Sequence, residues 1–432
     1  MKSVSHMRIA FAGDLFISRK LAAEERRTLL PIRQYLLSAD CRFGNLETTL
    51  LRLNQASPAL FPGGGYAMAS PSCLDDLKWM GFNLLNAATN HAMDYGERGC
   101  LGTIKNLHRK DIAFAGIGAD LQAASAPAYI ETSNGRVALL SVTSSFHDSY
   151  AAGPSNREMI GRPGVSPLRH RAIYHLPKGD YDTLKRIGTE CGINSYHDRS
   201  RTQGYLLPSD KLKFGVYDFE VSRDSTSGVQ TFPSEVDLER TLANIDIAKS
   251  KSDVVICSIH SHQFKGNNVY ISPDFVTAFA RKCIERGVAI VACHGPHLLR
   301  GVETYQRGVI LHGLGNFIFQ NEQQRYVPEE FYLKYGFTRE SCGGPGDVFQ
   351  RRSKNGTIGI AASSDEWRSA VFNVFLGQSK TSIEIRPLAI SKKTGLPQFS
   401  EDISVLLHMR ECSPVRDSIR IDKDRSVALV DL

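Results

Sequence analysis

The stretch Val288–Gly301, "VAIVACHGPHLLRG", joins a short apolar run to a cysteine and two histidines. The run from 288 to 293 has the length and composition of a buried strand. Cys293, His294 and His297 follow closely enough to bind one metal ion together. Three interpretations fit these residues taken alone: a structural zinc knuckle, part of a catalytic metal centre, or the polar end of a buried strand.

The residues before this strand predict a helix over 272 to 286. Ser272 is placed to cap it, Pro273 occupies its first turn, and Gly287 follows its end. Similar helical patterns cover about 72 to 80, 97 to 110 and 235 to 250. Helices that alternate with short apolar runs indicate an α/β fold with a largely buried sheet.

The composition is that of an ordinary globular protein. The chain has 432 residues, of which 42% are hydrophobic and 22% charged, which suffices for a sizeable core. Its net charge of +7 is spread along the sequence and favours anionic partners only weakly. Without a concentrated basic stripe or a known nucleic-acid module, we expect no nucleic-acid partner.

Nine cysteines are scattered singly along the chain. This pattern indicates reduced thiols and argues against a disulfide framework. The N-terminal "MKSVSHMRIAFAGD" leads almost directly into a strand and leaves no room for the apolar core of a signal peptide. No apolar run approaches the roughly 18 residues of a membrane span. We therefore expect a soluble, cytoplasmic protein without a membrane partner.

The sequence predicts one domain over 1–432 with two irregular regions. Residues 144–234 are rich in Gly, Pro, Ser and Asp, and we interpret them as a loop-rich inserted lid with a small helix at about 181–191. A second irregular excursion covers 321–355. Three further strands are predicted at "TIGIAAS", "AVFNVFL" and "TSIEIRPLAI", and the tail adds a short helix and the strand "SVALVDL".

Six apolar runs end in polar residues that can bind metal. In open α/β sheets, ligands bind beyond the carboxyl ends of the strands, so we expect these residues to meet in one site. The residues are Asp14, Asn45 with Glu47, Asn90 with His91, His260 with His262, His294 with His297, and His312 with Asn316.

The residue types in this set indicate divalent metal ions. Carboxylates, carboxamides and imidazoles suit Mn, Fe, Zn or a mixed pair better than a soft thiolate site would. The set is larger than one tetrahedral zinc needs, so two ions are plausible. A pair of ions activates water for hydrolysis.

The blocks "FAGDLFISR", "GNLETTL", "ATNHAMDYGERG", "SIHSHQF" and "HGPHLLRGVETYQRGVILHGLGNFIF", in this order and spacing, resemble the CapA (poly-γ-glutamate capsule synthesis) family. That family belongs to the calcineurin-like metallophosphoesterase superfamily. The resemblance extends from about Arg8 to about Ile390. It implies a sandwich of two central β-sheets flanked by helices, with the metal centre at the strand ends.

The resemblance also implies roles for individual residues. His91 corresponds to the general acid and Asp94 to the residue that orients it, while Glu47 corresponds to a carboxylate bridging two ions. Arg19 and Asn316 correspond to residues that support the ligands or contact the substrate. The implied metal ligands are Asp14, Glu47, Asn90, His260, His294 and His297.

Two positions depart from the family pattern, and one further residue is a candidate from the sequence alone. Phe16 stands where metallophosphoesterases at large carry a histidine. "HSHQF" replaces a His-Trp-Gly type block, so His262 is either an extra ligand or a polar loop residue. In the insertion, Arg169 is a candidate for gripping an anionic substrate, with a solvated loop as the alternative.

The leading hypothesis is a metal-dependent hydrolase that acts through metal-activated water. Its substrate is a phosphoester, or an amide of a polyanionic, γ-glutamyl-type small molecule or polymer. The alternative is a non-hydrolytic accessory protein of capsule polymer biosynthesis, in which the metal site binds an anionic chain. A metal-free binding module is the third possibility. A Ser-His-Asp hydrolase is disfavoured because the sequence contains no Gly-x-Ser-x-Gly elbow at a strand-to-helix turn.

Overall fold

The computed structural model describes residues 6–207, 211–378 and 380–431. These residues form 24 strands, which in chain order are His6–Phe16 (β1), Cys41–Leu46 (β2), Thr49–Leu50 (β3), Met68–Ala69 (β4), Leu84–Asn86 (β5), Ala113–Ala115 (β6), Ile117–Gly118 (β7), Ala128–Thr132 (β8), Gly135–Thr143 (β9), Gly164–Val165 (β10), His170–Leu176 (β11), Leu212–Phe214 (β12), Tyr217–Val221 (β13), Gly228–Pro233 (β14), Val254–His260 (β15), Ile290–His294 (β16), Val302–Tyr305 (β17), Gly308–Leu311 (β18), Asn316–Phe319 (β19), Arg368–Gly377 (β20), Thr381–Ile390 (β21), Pro397–Phe399 (β22), Ile419–Asp422 (β23) and Val427–Asp431 (β24).

The α-helices of the described residues are mostly short. In chain order they are Ala23–Thr28 (α1), Leu30–Leu37 (α2), Cys73–Met80 (α3), Gly96–Arg109 (α4), Leu121–Ser125 (α5), Lys178–Glu190 (α6), Ser195–Thr202 (α7), Glu235–Lys251 (α8), Asp274–Arg286 (α9), Glu329–Lys334 (α10), Pro345–Arg352 (α11) and Ser404–Glu411 (α12). Among the described residues, none of these helices has the length and apolar character needed to cross a membrane.

The larger sheet has ten strands, and its central part is parallel. Its order is β23, β24, β21, β20, β1, β2, β5 and β6, with β19 beside β1 and β22 beside β21. Strands β1, β2, β5, β6 and β19 run parallel, whereas β20 to β24 add an antiparallel half. Along β1, Ile9 and Phe11 face one core cluster while Ala10 and Ala12 face another, as the two-residue period of a strand requires.

The second sheet has six strands in the order β17, β18, β16, β15, β9 and β8. Its strands β9, β15, β16 and β18 are parallel. Ile256 and Ile290 of this sheet share a buried cluster with Phe11 and Phe43 of the larger sheet. The two sheets therefore pack face to face and bury their apolar faces against each other. This sandwich confirms the predicted fold class.

Helices cover the outer faces of both sheets. Leu36 of α2 and Leu77 of α3 pack against the larger sheet, and Ile245 of α8 and Phe279 of α9 pack against the second. The predicted helices at about 72 to 80, 97 to 110, 235 to 250 and 272 to 286 correspond to α3, α4, α8 and α9 and are confirmed.

One detail of α9 differs from the prediction. Pro273, and not Ser272, is the N-cap, because the Ser272 hydroxyl instead lies 3.1 Å from Nδ1 of His312. Gly287 ends the helix as predicted, with φ of 111°, a left-handed conformation that favours glycine.

Residues 144–234 contain more regular structure than the sequence predicted. Strands β11 to β14 form a four-stranded sheet in the order β12, β13, β11, β14, and α6 corresponds to the small helix predicted at about 181–191. The prediction of loops around that helix is wrong, since these residues form strands. The strands are mostly half-exposed. Half-exposed strands need no continuous apolar run, so the strand signal was weak.

The region after β19 also differs from the prediction in one place. The predicted strand "TIGIAAS", 357–363, is instead a 3₁₀ turn at Gly359–Ala361. Gly359 has φ of +68°, which is incompatible with an extended strand. The strands predicted at "AVFNVFL", "TSIEIRPLAI" and "SVALVDL" correspond to β20, β21 and β24 and are confirmed.

Candidate metal centre

A row of polar side chains crosses the larger sheet near the carboxyl ends of β1, β2 and β5 and at the amino end of β19. Asp14 on β1 pairs in register with Asn45 on β2 and with Asn316 on β19. Asn45 in turn pairs with Asn86 on β5. All four residues are fully buried. A bulge in β1 directly after Asp14 shifts the register of its pairing with β19, and bulges often lie next to functional sites.

A second row lies at the corresponding edge of the other sheet. Thr143, His260 and His294 are in register on β9, β15 and β16. Because the two sheets pack face to face, the imidazoles of the second row meet the carboxylate and amides of the first. Cys293 points the other way, into the apolar cluster beneath α9. The zinc-knuckle interpretation of Cys293 with the two histidines is therefore wrong.

Asp14, His260 and His294 form one group whose ligand atoms lie within 4.8 Å of one another. We call it the inner trio. All three side chains are fully buried. Nδ1 of His294 lies 3.1 Å from Nδ1 of His260 and 4.0 Å from Oδ1 of Asp14. The carboxylate and the two imidazoles thus converge on a space the size of a cation.

Glu47, His262 and His297 form a second such group, which we call the outer trio. Oε1 of Glu47 lies 3.8 Å from Nε2 of His262 and 3.9 Å from Nε2 of His297. His297 has φ of 59°, a conformation that a residue with a Cβ adopts rarely and at a free-energy cost. The fold holds His297 in this strained conformation, in which its imidazole faces Glu47.

The two trios are contiguous. Oδ2 of Asp14 lies 3.1 Å from Nδ1 of His297, and Oε1 of Glu47 lies 3.7 Å from Nε2 of His260. Either carboxylate can therefore reach both positions. The role of Glu47 as the bridge stays a prediction.

Neighbouring polar groups hold the ligands in place. The Ser258 hydroxyl lies 2.5 Å from Nε2 of His294, so Nδ1 of that ring is the nitrogen that faces Asp14. Asn45 donates to Oδ1 of Asp14 at 2.7 Å and also lies beside Nδ1 of His260. Oδ1 of Asn90 lies 2.9 Å from Nε2 of His260. Such partners fix ring orientation and tautomer in metal sites.

The loop that carries His262 is anchored at both sides. The His262 backbone N–H donates to the Ser145 hydroxyl at 2.8 Å. The buried guanidinium of Arg300 donates to the carbonyl oxygens of Gln263 and Val269. The backbone of this loop is therefore fixed, and the place of His262 in the outer trio favours the extra-ligand interpretation.

Glu47 provides the test of whether these residues fit a metal ion. The side chain is fully buried, yet neither carboxylate oxygen has a hydrogen-bond partner among the described residues. Nε2 of His262 also lacks one. A buried carboxylate without donors is costly, and a cation between it and the surrounding imidazoles removes that cost. The donors are all oxygen or nitrogen atoms, which suits Mn, Zn or Fe.

The pKa values follow from burial and from the neighbouring charges. Burial lowers the pKa of His294 to about 4 and that of His262 to about 3, and it places the pKa of His260 well below its ordinary value. These rings are therefore neutral at pH 7, which is the form that binds metal. Burial, and then the charge of Asp14, raise the pKa of Glu47 to about 8.

His91 and Asp94 form a buried pair beside the trios. Nδ1 of His91 lies 2.7 Å from Oδ2 of Asp94. The Asp94 carboxylate also accepts the backbone N–H groups of Gly63 and Ala67, which fix its position. Burial lowers the pKa of His91, but the charge of Asp94 and its hydrogen bond outweigh this, and the net pKa is raised.

A cavity of about 350 Å³ opens above the outer trio. His91, His262 and His297 lie on its inner side, and the Gly63–Gly65 turn forms one wall. Gly63 is required there because a Cβ would lie 2.5 Å from the carbonyl oxygen of Asn90. Phe16, which replaces the expected histidine, lines the cavity and packs its ring against that of His91 at 5.2 Å.

The remaining wall comes from the excursion after β19. It is formed by residues of 321–361, and no described residue of 144–234 lines this cavity. Residues of the second irregular region thus line this cavity, and the role of 144–234 as a lid stays a prediction. Arg352 is the basic side chain of this wall, and the sequence interpretation did not identify it.

Three candidate residues lie elsewhere. The Arg19 guanidinium is paired with Glu25 at 2.6 Å. Arg169 is paired with the buried carboxylate of Asp237 at 3.0 Å. His312, expected at the shared site, lies 2.9 Å from Glu303. Neither arginine lines the cavity, and their contact with a substrate stays a prediction. Asn316 does belong to the centre, since its Oδ1 lies 2.9 Å from Nδ1 of His297.

Comparisons with known proteins point to one family. The family model described as bacterial capsule synthesis protein PGA_cap matches residues 8–321. Two uncharacterized proteins of Sinorhizobium fredii, y4sH and y4uA, are each 33% identical over 312 residues, which is 72% of this chain and 65% of theirs. The capsule biosynthesis protein CapA of Bacillus anthracis is 22% identical over 317 residues, 72% of this chain and 59% of that protein. The chain thus spans less than two thirds of the length of these relatives.

Proposed function

The chain belongs to the bacterial capsule synthesis protein family PGA_cap, within the metallophosphoesterase-like superfamily, and from this membership we propose that it is a metal-dependent hydrolase. The observation that carries the proposal is the buried Glu47 carboxylate, whose oxygens have no hydrogen-bond partner among the described residues and face imidazole nitrogens at 3.7 to 3.9 Å. We propose that the inner and outer trios each hold one divalent ion, Mn, Zn or Fe.

Ions bound in the two trios would supply an activated water and stabilise negative charge on the oxygen atoms of the reacting group. Other residues of the chain hold the side chains of the proposed metal ligands in position. Asn45 and Ser258 fix the directions of Asp14 and His294. Asn90 fixes His260 through a contact of 2.9 Å.

His91 is the general acid of this proposal. Its Nδ1 is committed to Asp94, so Nε2 is the nitrogen that can give a proton to a leaving group in the cavity. The pKa of His91 is raised by Asp94 against the effect of burial, which keeps the proton available near neutral pH. Asp94 orients the ring because two backbone N–H groups hold its carboxylate.

The cavity supports an anionic substrate. Arg352 lines it and has no ion pair with any carboxylate in the described part of the chain. An arginine left free of carboxylates can bind a carboxylate or phosphate group of a ligand through two parallel hydrogen bonds. A relative from Bacillus subtilis, 23% identical over 343 residues, is named PGA biosynthesis protein CapA. We therefore propose a phosphoester, or an amide of a polyanionic γ-glutamyl compound, as the substrate.

The test combines metal content with turnover. The purified protein, loaded with Mn, Zn or Fe, is assayed against a panel of phosphoesters and γ-glutamyl amides. We expect turnover in the parent and a loss of roughly 100-fold or more in His91→Ala, with the metal content unchanged. His108→Ala is the matched control, because His108 is exposed and away from the trios.

A metal-loaded protein with no turnover on any member of the panel would favour the accessory role, in which the metal site only binds an anionic chain. Activity in His91→Ala equal to that of the parent would contradict the proposed proton transfer. An absence of bound metal in both the parent and His294→Ala would contradict the metal centre itself.

A further inference from the structure

Arg300 is a buried cation that has no carboxylate partner among the described residues. It is 2% exposed, and in this part of the chain it donates only to uncharged oxygen atoms. Burial lowers its pKa to about 10, so the guanidinium is still charged at pH 7. A buried charge is costly unless hydrogen bonds compensate it. The acceptors of this guanidinium therefore indicate which part of the fold depends on it.

All three acceptors lie on the segment between β15 and α9. Nε donates to the carbonyl oxygen of Val269 at 2.8 Å, Nη2 to that of Gln263 at 3.2 Å, and Nη1 to the Ser272 hydroxyl at 3.4 Å. The described residues 263–272 contain no helix or strand, and we call them the His262 loop, because His262 directly precedes them. Gln263 begins this loop and Ser272 ends it. One side chain therefore holds the loop at both ends.

The far end of the loop is itself fixed by a buried chain of hydrogen bonds. The Ser272 hydroxyl lies 3.1 Å from Nδ1 of His312, and Nε2 of His312 lies 2.9 Å from Oε2 of Glu303. Because the hydroxyl accepts a hydrogen bond from Arg300, its own proton points to His312. Arg300 thus connects the loop to residues that the second sheet holds in place.

Other contacts hold the loop at one end each. The Gln263 side chain forms hydrogen bonds with the segment after β9, and the Tyr270 hydroxyl binds the Asp365 carboxylate. Lys265 and Asp274 form an ion pair at 2.8 Å, but it is exposed and such pairs contribute little. The guanidinium differs from these contacts because it reaches both ends of the loop at once.

The position of the loop matters for one candidate ligand in particular. His260 and His294 stand in register on paired strands, so strand pairing holds them without the loop. Nε2 of His262 has no hydrogen-bond partner among the described residues and lies 3.8 Å from Oε1 of Glu47. The direction of this imidazole therefore depends on the loop backbone that follows it.

We propose that Arg300 is a positioning residue of the metal centre, which keeps the His262 imidazole directed at Glu47 so that the outer trio binds its ion. Arg300 does not line the cavity, so it acts through the His262 loop and not on a substrate. This role rests on the proposed binding of metal by the outer trio and is independent of hydrolysis. Loss of Arg300 should therefore weaken the outer ion and spare the inner one.

A lysine cannot replace Arg300 in this role. A guanidinium presents its donors in a fixed planar fork, whereas an ammonium is a point charge at the end of a flexible chain. Three different nitrogen atoms of Arg300 contact the three acceptors. Arg300→Lys therefore keeps the buried charge but releases part of the loop, which separates positioning from charge.

The first measurement is metal binding. Calorimetric titration of metal-free protein with Mn²⁺ should show two binding steps in the parent and one in His262→Ala. In Arg300→Lys we expect the outer step to weaken by about tenfold or more, as loss of a supporting contact does in metal sites. The inner step should stay within about twofold of the parent, because its ligands do not share the loop.

The second measurement, hydrogen–deuterium exchange of the metal-free protein, follows the loop without any ion. The backbone N–H groups of 263–271 should exchange about tenfold faster in Arg300→Lys, while those of β16 should not change. Arg42→Lys is the matched control, since Arg42 on β2 is also partly buried and donates to backbone carbonyl oxygens. It should match the parent in both measurements.

Unchanged outer binding or unchanged loop exchange in Arg300→Lys would overturn the inference. Equal weakening of both binding steps, with a lower unfolding temperature, would also overturn it, because the effect would then be a general loss of stability. A parent with no second binding step would contradict this role and the outer trio together. Two steps and the expected loss in Arg300→Lys, without turnover of any substrate, would support this role and contradict only the hydrolase proposal.

Ser272→Ala provides the same test if Arg300→Lys does not fold. It removes one acceptor and leaves the guanidinium in place, so we expect a smaller loss at the outer step, about threefold, with the inner step unchanged. An outer step as tight as that of the parent would then overturn the inference.

Discussion

The Nδ1 atoms of His260 and His294 lie 3.1 Å apart because the two residues occupy paired positions on the parallel strands β15 and β16. Two ring nitrogens at this distance can share at most one proton. Burial keeps both rings neutral at pH 7, with the pKa of His294 at about 4. The pair is therefore a candidate site for a cation, and Asp14 adds a carboxylate to it from the opposite sheet.

Metal loading should stabilise the protein through the inner trio. At an ion concentration about 100 times the Kd, the stabilisation is about 2.7 kcal/mol, and EDTA should remove it. Asp14→Asn should respond to metal and to EDTA less than the parent does, because the inner trio loses its charged ligand while the outer trio keeps Glu47. Calorimetric unfolding with and without metal is the measurement. Asp148→Asn, an exposed aspartate, is the control and should respond like the parent.

His262→Ala should remove one ion and spare the other. The two trios predict about two ions per chain, and loss of an outer ligand should reduce this to about one, with the inner ion retained. Elemental analysis after gel filtration gives the stoichiometry. If His262→Ala retains both ions, His262 is not a ligand and only supports Glu47. His147→Ala serves as the matched exposed control.

Arg352→Gln should weaken substrate binding more than it slows turnover. Loss of a charge-assisted contact to an anionic group raises KM by roughly tenfold or more, while kcat changes little because Arg352 is not among the candidate metal ligands or the acid–base pair. Arg351→Gln is the neighbouring control, since Arg351 is exposed and does not line the cavity. The measurement is the steady-state kinetics of both variants on the best substrate of the panel. Equal KM values in Arg352→Gln and Arg351→Gln would contradict a binding role for Arg352.

Gly63→Ala should reduce activity without loss of metal. A Cβ there would lie 2.5 Å from the Asn90 carbonyl oxygen, which forces the turn away from His91 and Asp94. Misplacement of an acid by about 1 Å costs on the order of 100-fold in rate. Gly65→Ala is the control, because its Cβ would meet only Phe331 at 3.7 Å. Similar activity in the two variants would show that the Gly63 contact does not position the acid.

The Glu303 carboxylate should make stability depend on pH. Burial raises its pKa, but hydrogen bonds from His312 and Arg281 outweigh this and lower the pKa below its ordinary value of 4.5. The folded state therefore binds this proton less tightly than the unfolded state does. The stabilisation is present above about pH 4.5 and is lost as the pH falls through the lower folded value.

Glu303→Gln should accordingly reduce the free energy of unfolding by about 1–2 kcal/mol at pH 7, and the difference from the parent should shrink below pH 4.5. Urea unfolding of metal-free protein at both pH values measures this. Glu131→Gln is the control, because Glu131 is 73% exposed in its pair with Arg136 and such surface pairs contribute little. A difference that persists unchanged at low pH would contradict the assignment.

The sequence predicted the fold and most of the residues that the structure groups into the two trios, because both rest on local signals. Buried parallel strands are continuous apolar runs, and the polar residues that follow them lie at one edge of each sheet by geometry alone. Asp14, Glu47, His260, His294 and His297 were all identified in this way. The strands of 144–234 were missed because a half-exposed sheet leaves no comparable apolar run.

The sequence by itself determined which residue types stand at the strand ends, and hence the sandwich and the set of candidate ligands. Only the tertiary structure decided how they are grouped. Register places Asp14 beside Asn45 and His260 beside His294, and the packing of one sheet on the other brings these rows together. Arg19, Arg169 and His312 each pair with a carboxylate outside the two trios, and a substrate contact of the two arginines stays a prediction. Such partners lie far apart along the chain or depend on packing, and no local pattern in the sequence encodes them.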